Sequence, residues 1–96
     1  GKKLVGEIIF SFEDVEKFFR YFQIKRNYRN VFEEIKLDFI YDFALNKFTL
    51  NNLKIDNKSY KNLTNFLEQY NQKNKNLINK VTLRNFVKEF FQIYAG

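Results

Sequence analysis

The carboxylates between Glu33 and Asp42 are the first side chains in this sequence that could carry out chemistry. Glu34, Asp38 and Asp42 have the same parity, so they would lie on one face of a strand. Paired carboxylates can act as general acid and base or bind a divalent cation. Neighbours on one strand face are roughly 6 to 7 Å apart, however, and Lys36 lies between two of them as an ion partner. We therefore interpret these residues as a solvated strand face that discourages edge pairing.

The sequence contains no cysteine and no histidine. Their absence removes the thiol nucleophile, the imidazole base, disulfide bonds and the usual ligands of zinc and haem. We therefore predict that the chain is not an enzyme and that it holds no cofactor or metal ion.

The net charge of +6 is compatible with an anionic partner, such as nucleic acid or a phospholipid surface. Basic residues interleave with tyrosine, which could stack on a base while a cation meets phosphate. Only four arginines are present, and no RNP-like strand motif, GXXG loop or basic helix stripe accompanies them. Nucleic acid is therefore the less favoured partner. The candidate patch for an anionic partner consists of Lys25, Arg26, Tyr28, Arg29 and Lys61.

The spacing of apolar residues predicts the elements that must position these side chains. Alternation from Val5 to Phe12 predicts a first strand. Ser11 lies three residues before Asp14, as in a capping box, and an apolar stripe then predicts a helix over about Glu13–Gln23. Residues 24–30 have no clean period, and we interpret them as a basic connector or a short helical turn.

Strict alternation from Ile35 to Phe43 predicts a second strand, and Phe48–Ile55 a third. Setting Phe43 opposite Phe48 gives a tight hairpin with Leu45 and Asn46 at its tip.

The third predicted strand changes register part of the way along. Phe48 and Leu50 have one parity, whereas Leu53 and Ile55 have the other. Keeping all four inside requires one extra residue, so we predict a β-bulge at Asn51-Asn52.

Two helices complete the predicted elements. Apolar residues recur at helical spacing from Leu63 to Tyr70, and a polar loop is expected over residues 71–76. Thr82 is the predicted N-cap of the last helix, with Val81 placed to pack against Phe86.

The order β-α-β-β-α-α predicts an α+β fold, with a small three-stranded, mostly antiparallel sheet covered by amphipathic helices. The 96 residues suit a single domain, 1–96, without internal repeats. No apolar run approaches the roughly 18 residues that span a bilayer, so no transmembrane segment is expected. Because the sequence begins with Gly1 and lacks methionine, we expect a segment excised from a larger protein, with Gly1 left by cleavage.

Several stretches resemble the carboxy-terminal part of AsmA-like bacterial envelope proteins. They are Gly6–Phe12 with the helix after it, Ile35–Phe43, and the strand that closes on the phrase NLKID, Asn52–Asp56. The resemblance covers most of the chain and rests on strand patterning.

This resemblance implies a large protein anchored in the inner membrane, with a β-rich periplasmic body whose apolar groove carries phospholipid in outer-membrane biogenesis. The family is not enzymatic, and no functional residue transfers position by position. The implied partners are the rest of the parent chain, phospholipid and other envelope proteins.

The predicted helices offer enough apolar area to cover the sheet themselves, which departs from a groove-forming repeat. We therefore expect a capping or structural module that ends a longer β array. The alternatives are a protein-interaction domain, which would expose an apolar patch, and a basic nucleic-acid-binding module.

Overall fold

A computed structural model describes residues 1–26, 31–74 and 76–95 of the chain. Its three strands form one sheet in the order β1-β2-β3, antiparallel throughout, and three helices accompany it. The elements are β1 (Lys3–Ser11), α1 (Phe12–Tyr21), β2 (Glu34–Asp42), β3 (Lys47–Ile55), α2 (Lys61–Gln72) and α3 (Lys80–Ala95). The predicted α+β fold and its element order are therefore confirmed.

All three helices contribute to one core on the inner face of the sheet. Ile35 and Leu37 of β2 are buried there, whereas Glu34, Lys36 and Asp38 lie on the outer face. Alternation along the strand therefore separates a covered face from a solvated one. The buried cluster consists of Val15, Phe19, Phe32, Ile35, Leu37, Leu50, Leu53, Ile55, Leu63, Leu67, Phe90 and Phe91.

The predicted bulge is present in β3, one residue further along than Asn51-Asn52, because Asn51 pairs with Asp38 and the two residues opposite Leu37 are Asn52 and Leu53. Lys36 pairs with Lys54, whereas Asp38 pairs with Asn51. Between these two pairs β3 therefore has one more residue than β2. Asn52 takes a φ of 54° and donates a 2.8 Å hydrogen bond from its amide to Asp38. Asparagine tolerates this left-handed backbone better than most residues, and the extra residue keeps the core side chains of β3 inside.

The hairpin register was predicted wrongly by two residues. Asp42 pairs with Lys47, so the β2–β3 connection has four residues instead of two, and Phe43 lies in it with 58 % of its surface exposed. The Asp42 carboxylate accepts hydrogen bonds from the backbone N–H groups of Ala44 and Leu45, at 3.0 and 3.1 Å. This turn-forming side chain ends the pairing of β2 with β3 before Phe43.

The start of α1 agrees with the sequence, and the start of α3 does not. At α1 the Ser11 hydroxyl accepts from the Asp14 N–H at 3.1 Å, and the Asp14 carboxylate accepts from the Ser11 N–H at 3.0 Å. At α3 the cap is Asn79, whose side-chain oxygen accepts from Val81 N–H at 2.8 Å. The prediction of Thr82 as N-cap is therefore wrong, because asparagine caps equally well and lies three residues earlier.

Val81 is 66 % exposed, so it is not buried at the helix start as expected. The predicted polar loop also begins too early, because Asn71 and Gln72 belong to α2. Within the described residues, no helix combines the length and hydropathy needed to cross a membrane.

Candidate functional site: the sheet edges and a basic pocket

The residues predicted to form an anionic-partner patch do not share one concavity. Lys25 lines a pocket beside α3, whereas Lys61 lies near Ile93 and Tyr94 at a second concavity. Tyr28 and Arg29 lie outside the described residues.

Arg26 makes contacts within the protein. Its guanidinium lies 2.9 Å from the carboxylate of Glu16 and 5.1 Å from the ring centre of Phe12. An ion pair together with a cation–π contact holds the side chain against α1. The Arg26 guanidinium is therefore already engaged by Glu16 and Phe12, which makes it a weaker candidate for binding a ligand.

The carboxylates of the outer sheet face are spread out, as expected for a solvated face. Glu34 forms an ion pair with Lys36 at 3.3 Å, and Asp38 accepts from Asn52. Among the described residues, no group of three acidic side chains could hold a metal ion.

The Tyr70 hydroxyl of α2 is a titratable group away from these carboxylates. Burial, and secondly the charge of Glu89, raises the pKa of Tyr70 to about 12. That hydroxyl therefore stays protonated near neutral pH.

Strand β1 forms one edge of the sheet, and its outward backbone groups are open. Two hydrogen bonds at the ends of the ladder fix which residues face β2, since Phe12 N–H donates to the carbonyl of Glu33 and Phe43 N–H to that of Lys2. In an antiparallel pair the bonded residues alternate, so even-numbered residues of β1 bond to β2. The N–H and C=O groups of Val5, Glu7 and Ile9 therefore point away from the sheet.

No hydrogen bond to these outward groups occurs within the part of the chain that the structure describes. The side chains around them are also open, because Leu4, Val5 and Ile9 are 53, 67 and 52 % exposed. Among the described residues, the outward bond on this edge is at Ser11, where the N–H donates to the Asp14 carboxylate. A stretch of about seven residues is thus available to another strand.

Strand β3 forms the opposite edge, and a side chain from α2 bonds to it at Leu50. The side-chain oxygen of Asn71 accepts from the Leu50 N–H at 3.1 Å, and its NH₂ group donates to the Leu50 carbonyl at 2.7 Å. Both outward backbone groups of Leu50 are therefore bonded by one amide, as a neighbouring strand would bond them. We call this arrangement the Asn71 clasp.

The turn after β3 closes a second position on the same edge. Ile55 and Lys58 exchange two backbone hydrogen bonds, each 3.0 Å long. Asp56 and Asn57 between them both take positive φ angles, 52 and 64°. The chain therefore folds back on its own edge, so Leu50 and Ile55 cannot pair with an incoming strand.

A basic pocket lies between the end of α1 and one side of α3. Gln23 follows α1 with a φ of 55°, its N–H donates to the Arg20 carbonyl, and the Ile24 N–H donates to Phe19. These bonds form a Schellman motif, which reverses the chain and brings Lys25 towards α3.

Arg84 and Lys88 of α3 line this pocket together with Lys25, Gln23 and Gln92. The pocket has a volume of about 260 Å³, and no carboxylate is among its described lining residues. Sequence reasoning missed it because its cations come from separate segments. The available signal was the four-residue spacing of Lys80, Arg84 and Lys88, a basic stripe on the last helix that was not recognised from the sequence.

An apolar cavity of about 120 Å³ lies between the sheet and the helices. Leu37 and Leu50 of the sheet line it, with Val15 of α1 and Val87 of α3, and every other described lining residue is also apolar. Its volume is below the roughly 150 Å³ of an engineered cavity that accommodates benzene. A whole phospholipid acyl chain therefore does not fit unless a helix moves.

Comparisons with protein-family models, with curated proteins and with solved structures yield no match to this chain.

Proposed function

We propose that this chain is a non-catalytic structural module that ends a β-sheet array. In this proposal β1 pairs with the last strand of the array, and β3 terminates the sheet. On the resemblance of the strand segments, we assign the array to the periplasmic, β-rich body of an AsmA-like envelope protein that is anchored in the inner membrane. Such a body serves outer-membrane biogenesis or phospholipid transport.

The observation that carries the proposal is the difference between the two sheet edges. A terminating module needs one edge that accepts a strand and one that rejects it, because an open edge at both sides would extend the array further. The outward groups of Val5, Glu7 and Ile9 meet the first requirement, and the bonded groups of Leu50 and Ile55 meet the second.

Burial within the module also supports a terminating role. The inner face of the sheet is covered by the module's own helices, and the cavity that remains holds about 120 Å³. An end unit must hide the core that a stacked neighbour would otherwise cover. The module therefore needs its neighbour for strand pairing and not for core burial.

The proposal can be tested by photo-crosslinking in the native host. Glu7 is replaced by p-benzoylphenylalanine in one preparation, and Lys54 in another, because both are exposed side chains on edge strands. We expect a crosslink from position 7 to a strand segment of a β-rich envelope protein, either elsewhere in the same polypeptide or in a partner. We expect none from position 54.

A blocking variant makes the test specific for strand pairing. Val5→Pro removes an N–H that points away from β2, so the ladder inside the module stays complete and the fold tolerates the change. Val5→Thr keeps the N–H and the β-branched side chain and is the matched control. We expect the position 7 crosslink to vanish with Val5→Pro and to persist with Val5→Thr.

Three results would contradict a terminating role. They are a crosslink that survives Val5→Pro, equal crosslinking from positions 7 and 54, and a crosslink from position 7 to a second copy of the same β1 strand. Thermal unfolding of both variants establishes that a lost crosslink is not lost folding.

A further inference from the structure

Beyond the proposed structural role, we propose that the basic pocket between α1 and α3 binds a compact oxyanion, specifically a phosphate group. The pocket residues come from the turn after α1, Gln23 and Lys25, and from one side of α3, Arg84, Lys88 and Gln92.

The charge of the pocket points to an anion. Three cations surround one concavity of about 260 Å³, and its described lining contains no carboxylate to offset them. Like charges at close range repel one another, and they do so more strongly where protein replaces part of the water. A bound anion would attract all three cations and so offset their mutual repulsion, which the empty pocket leaves uncompensated.

Arg84 is already positioned for such a ligand. Its Nε donates a 3.3 Å hydrogen bond to the Phe22 carbonyl, which lies at the end of α1. A cation at the C-terminal end of a helix also complements the partial negative charge of the helix dipole. This bond uses only one of the five guanidinium donors, so the planar fork remains for a ligand. Lys80 is held separately, with its ammonium 4.8 Å from the ring centre of Tyr21.

The donor set fits a tetrahedral oxyanion better than a carboxylate. Arginine binds two phosphate oxygens with parallel N–H groups, and lysine binds a further oxygen as a point charge. The amides of Gln23 and Gln92 add neutral donors on the same pocket. A carboxylate has only two oxygens and one charge, so it would leave part of this set without a partner.

The pocket is too small to enclose a bulky ligand completely. Its volume lies below the roughly 300 to 1,000 Å³ of pockets that enclose drug-sized molecules. Phe19 and Ile24 are its apolar lining residues. The pocket therefore takes free phosphate or the phosphate end of a monoester, whose remainder stays outside.

The test is a titration of the full chain with inorganic phosphate. Binding is measured by isothermal titration calorimetry and by NMR of the arginine Nε–H groups. We expect saturable one-to-one binding with a shift of the Arg84 resonance. Lys88→Gln and Lys25→Gln each weaken binding by about tenfold, because each removes one charge-assisted hydrogen bond. Lys25 is exposed, so its variant keeps the fold even if Lys88→Gln lowers stability.

Lys54→Gln is the matched control, since it removes the same charge from an exposed site on β3 that does not line the pocket. We expect it to change the affinity by less than about twofold. Equal weakening by Lys54→Gln and Lys88→Gln would overturn the proposal, because the affinity would then come from net charge. A titration without saturation would overturn it as well.

Two further arms separate the sources of the phosphate. Competition by vesicles that contain phosphatidic acid identifies a lipid headgroup, and competition by glycerol 3-phosphate alone identifies a soluble monoester; either result supports the pocket. A single-stranded oligonucleotide that binds while inorganic phosphate does not would overturn it in favour of a nucleic-acid surface. None of these results depends on β1, so the pocket and the terminating role can fail separately.

Discussion

The two outer strands of the sheet differ in whether their outward-pointing backbone groups are hydrogen-bonded. Along β1 the outward groups of Val5, Glu7 and Ile9 have no partner within the described residues. Along β3 the corresponding groups of Leu50 and Ile55 are bonded by Asn71 and Lys58. Both strands have nine residues, so length does not explain the contrast.

The difference shows that edge protection on β3 comes from specific bonds, which β1 lacks among the described residues. Charged residues lie on the outer face of all three strands, but β1 also exposes the apolar side chains of Val5 and Ile9 there. Only β3 adds the Asn71 clasp and a folded-back turn. This contrast between the two edges is the basis of the proposal that β1 pairs with another strand.

The largest effect expected from this comparison concerns two isoleucines, one on each outer strand. Ile55 is 1 % exposed on β3, whereas Ile9 is 52 % exposed on β1. We expect Ile55→Ala to lower the free energy of unfolding by about 3 kcal/mol, because it leaves a cavity in the core. Ile9→Ala lowers it by less than about 1 kcal/mol. Urea unfolding measures both, and similar losses would show that β1 is as firmly held as β3.

The next effect breaks the Asn71 clasp. Asn71→Ala leaves the N–H and C=O of Leu50 without partners in a half-buried setting, which costs about 2 kcal/mol. Asn65→Ala, on an exposed position of the same helix, is the control for the change in helix propensity. We also expect only Asn71→Ala to self-associate through β3 in sedimentation velocity. Equal stability of the two variants would mean that the clasp contributes nothing.

A smaller effect concerns the bulge, which exists in β3 and not in the uninterrupted pairing of β1 with β2. Alanine at position 52 must adopt a φ of 54° without the local hydrogen bonding that lets asparagine tolerate this backbone. We therefore expect Asn52→Ala to lower the free energy of unfolding by about 1 kcal/mol. Asn52→Gly adopts this backbone freely and stays close to the original stability. Thermal unfolding compares the two, and a loss as large for glycine as for alanine would place the effect in the Asp38 hydrogen bond instead.

The smallest effect is a pH dependence at the end of β1, where the capping box closes the open edge. The backbone N–H of Ser11, and then its hydroxyl, lower the pKa of Asp14 below its ordinary value of 3.8. A lowered folded-state pKa contributes stability that is present above pH 4 and is lost as the pH falls through the folded-state value.

Asp14→Asn removes this titration, so we expect a shallower loss of stability on acidification from pH 5 to pH 2 than in the original chain. Ser11→Ala keeps the backbone bond and gives an intermediate slope. Identical slopes for Asp14→Asn and the original chain, in urea unfolding at a series of pH values, would rule out this contribution.

The fold was predictable where it depends on neighbouring residues. The change of parity between Leu50 and Leu53 is enough to require an extra residue, and the spacing of Ser11 and Asp14 is enough to predict a capping box. The hairpin register was predicted wrongly although its contacts also join near neighbours in the chain. It is set by the Asp42 carboxylate and by a hydrogen bond from the Tyr41 hydroxyl to Asn46, and both compete with apolar pairing of Phe43.

The candidate sites depend on contacts between distant segments, so the sequence predicted them poorly. Asn71 lies in a run of polar residues, and nothing local distinguishes it from Asn74 or Asn76. Its partner Leu50 is 21 residues away. The basic pocket likewise joins Lys25 to Arg84 through a reversal of the chain after α1. Of the three predicted patch residues that the structure describes, Lys25, Arg26 and Lys61, only Lys25 lines this pocket.

The Asn71 clasp has a consequence for local motion. The Leu50 amide lies on an edge strand, where an amide proton usually exchanges rapidly with solvent, yet its acceptor belongs to a helix. Its proton can exchange only when α2 lifts from the sheet or when the whole domain unfolds. Deuterium uptake at this single amide therefore reports how often α2 undocks, and uptake at the open amide of Val5 provides the unprotected reference within the same molecule.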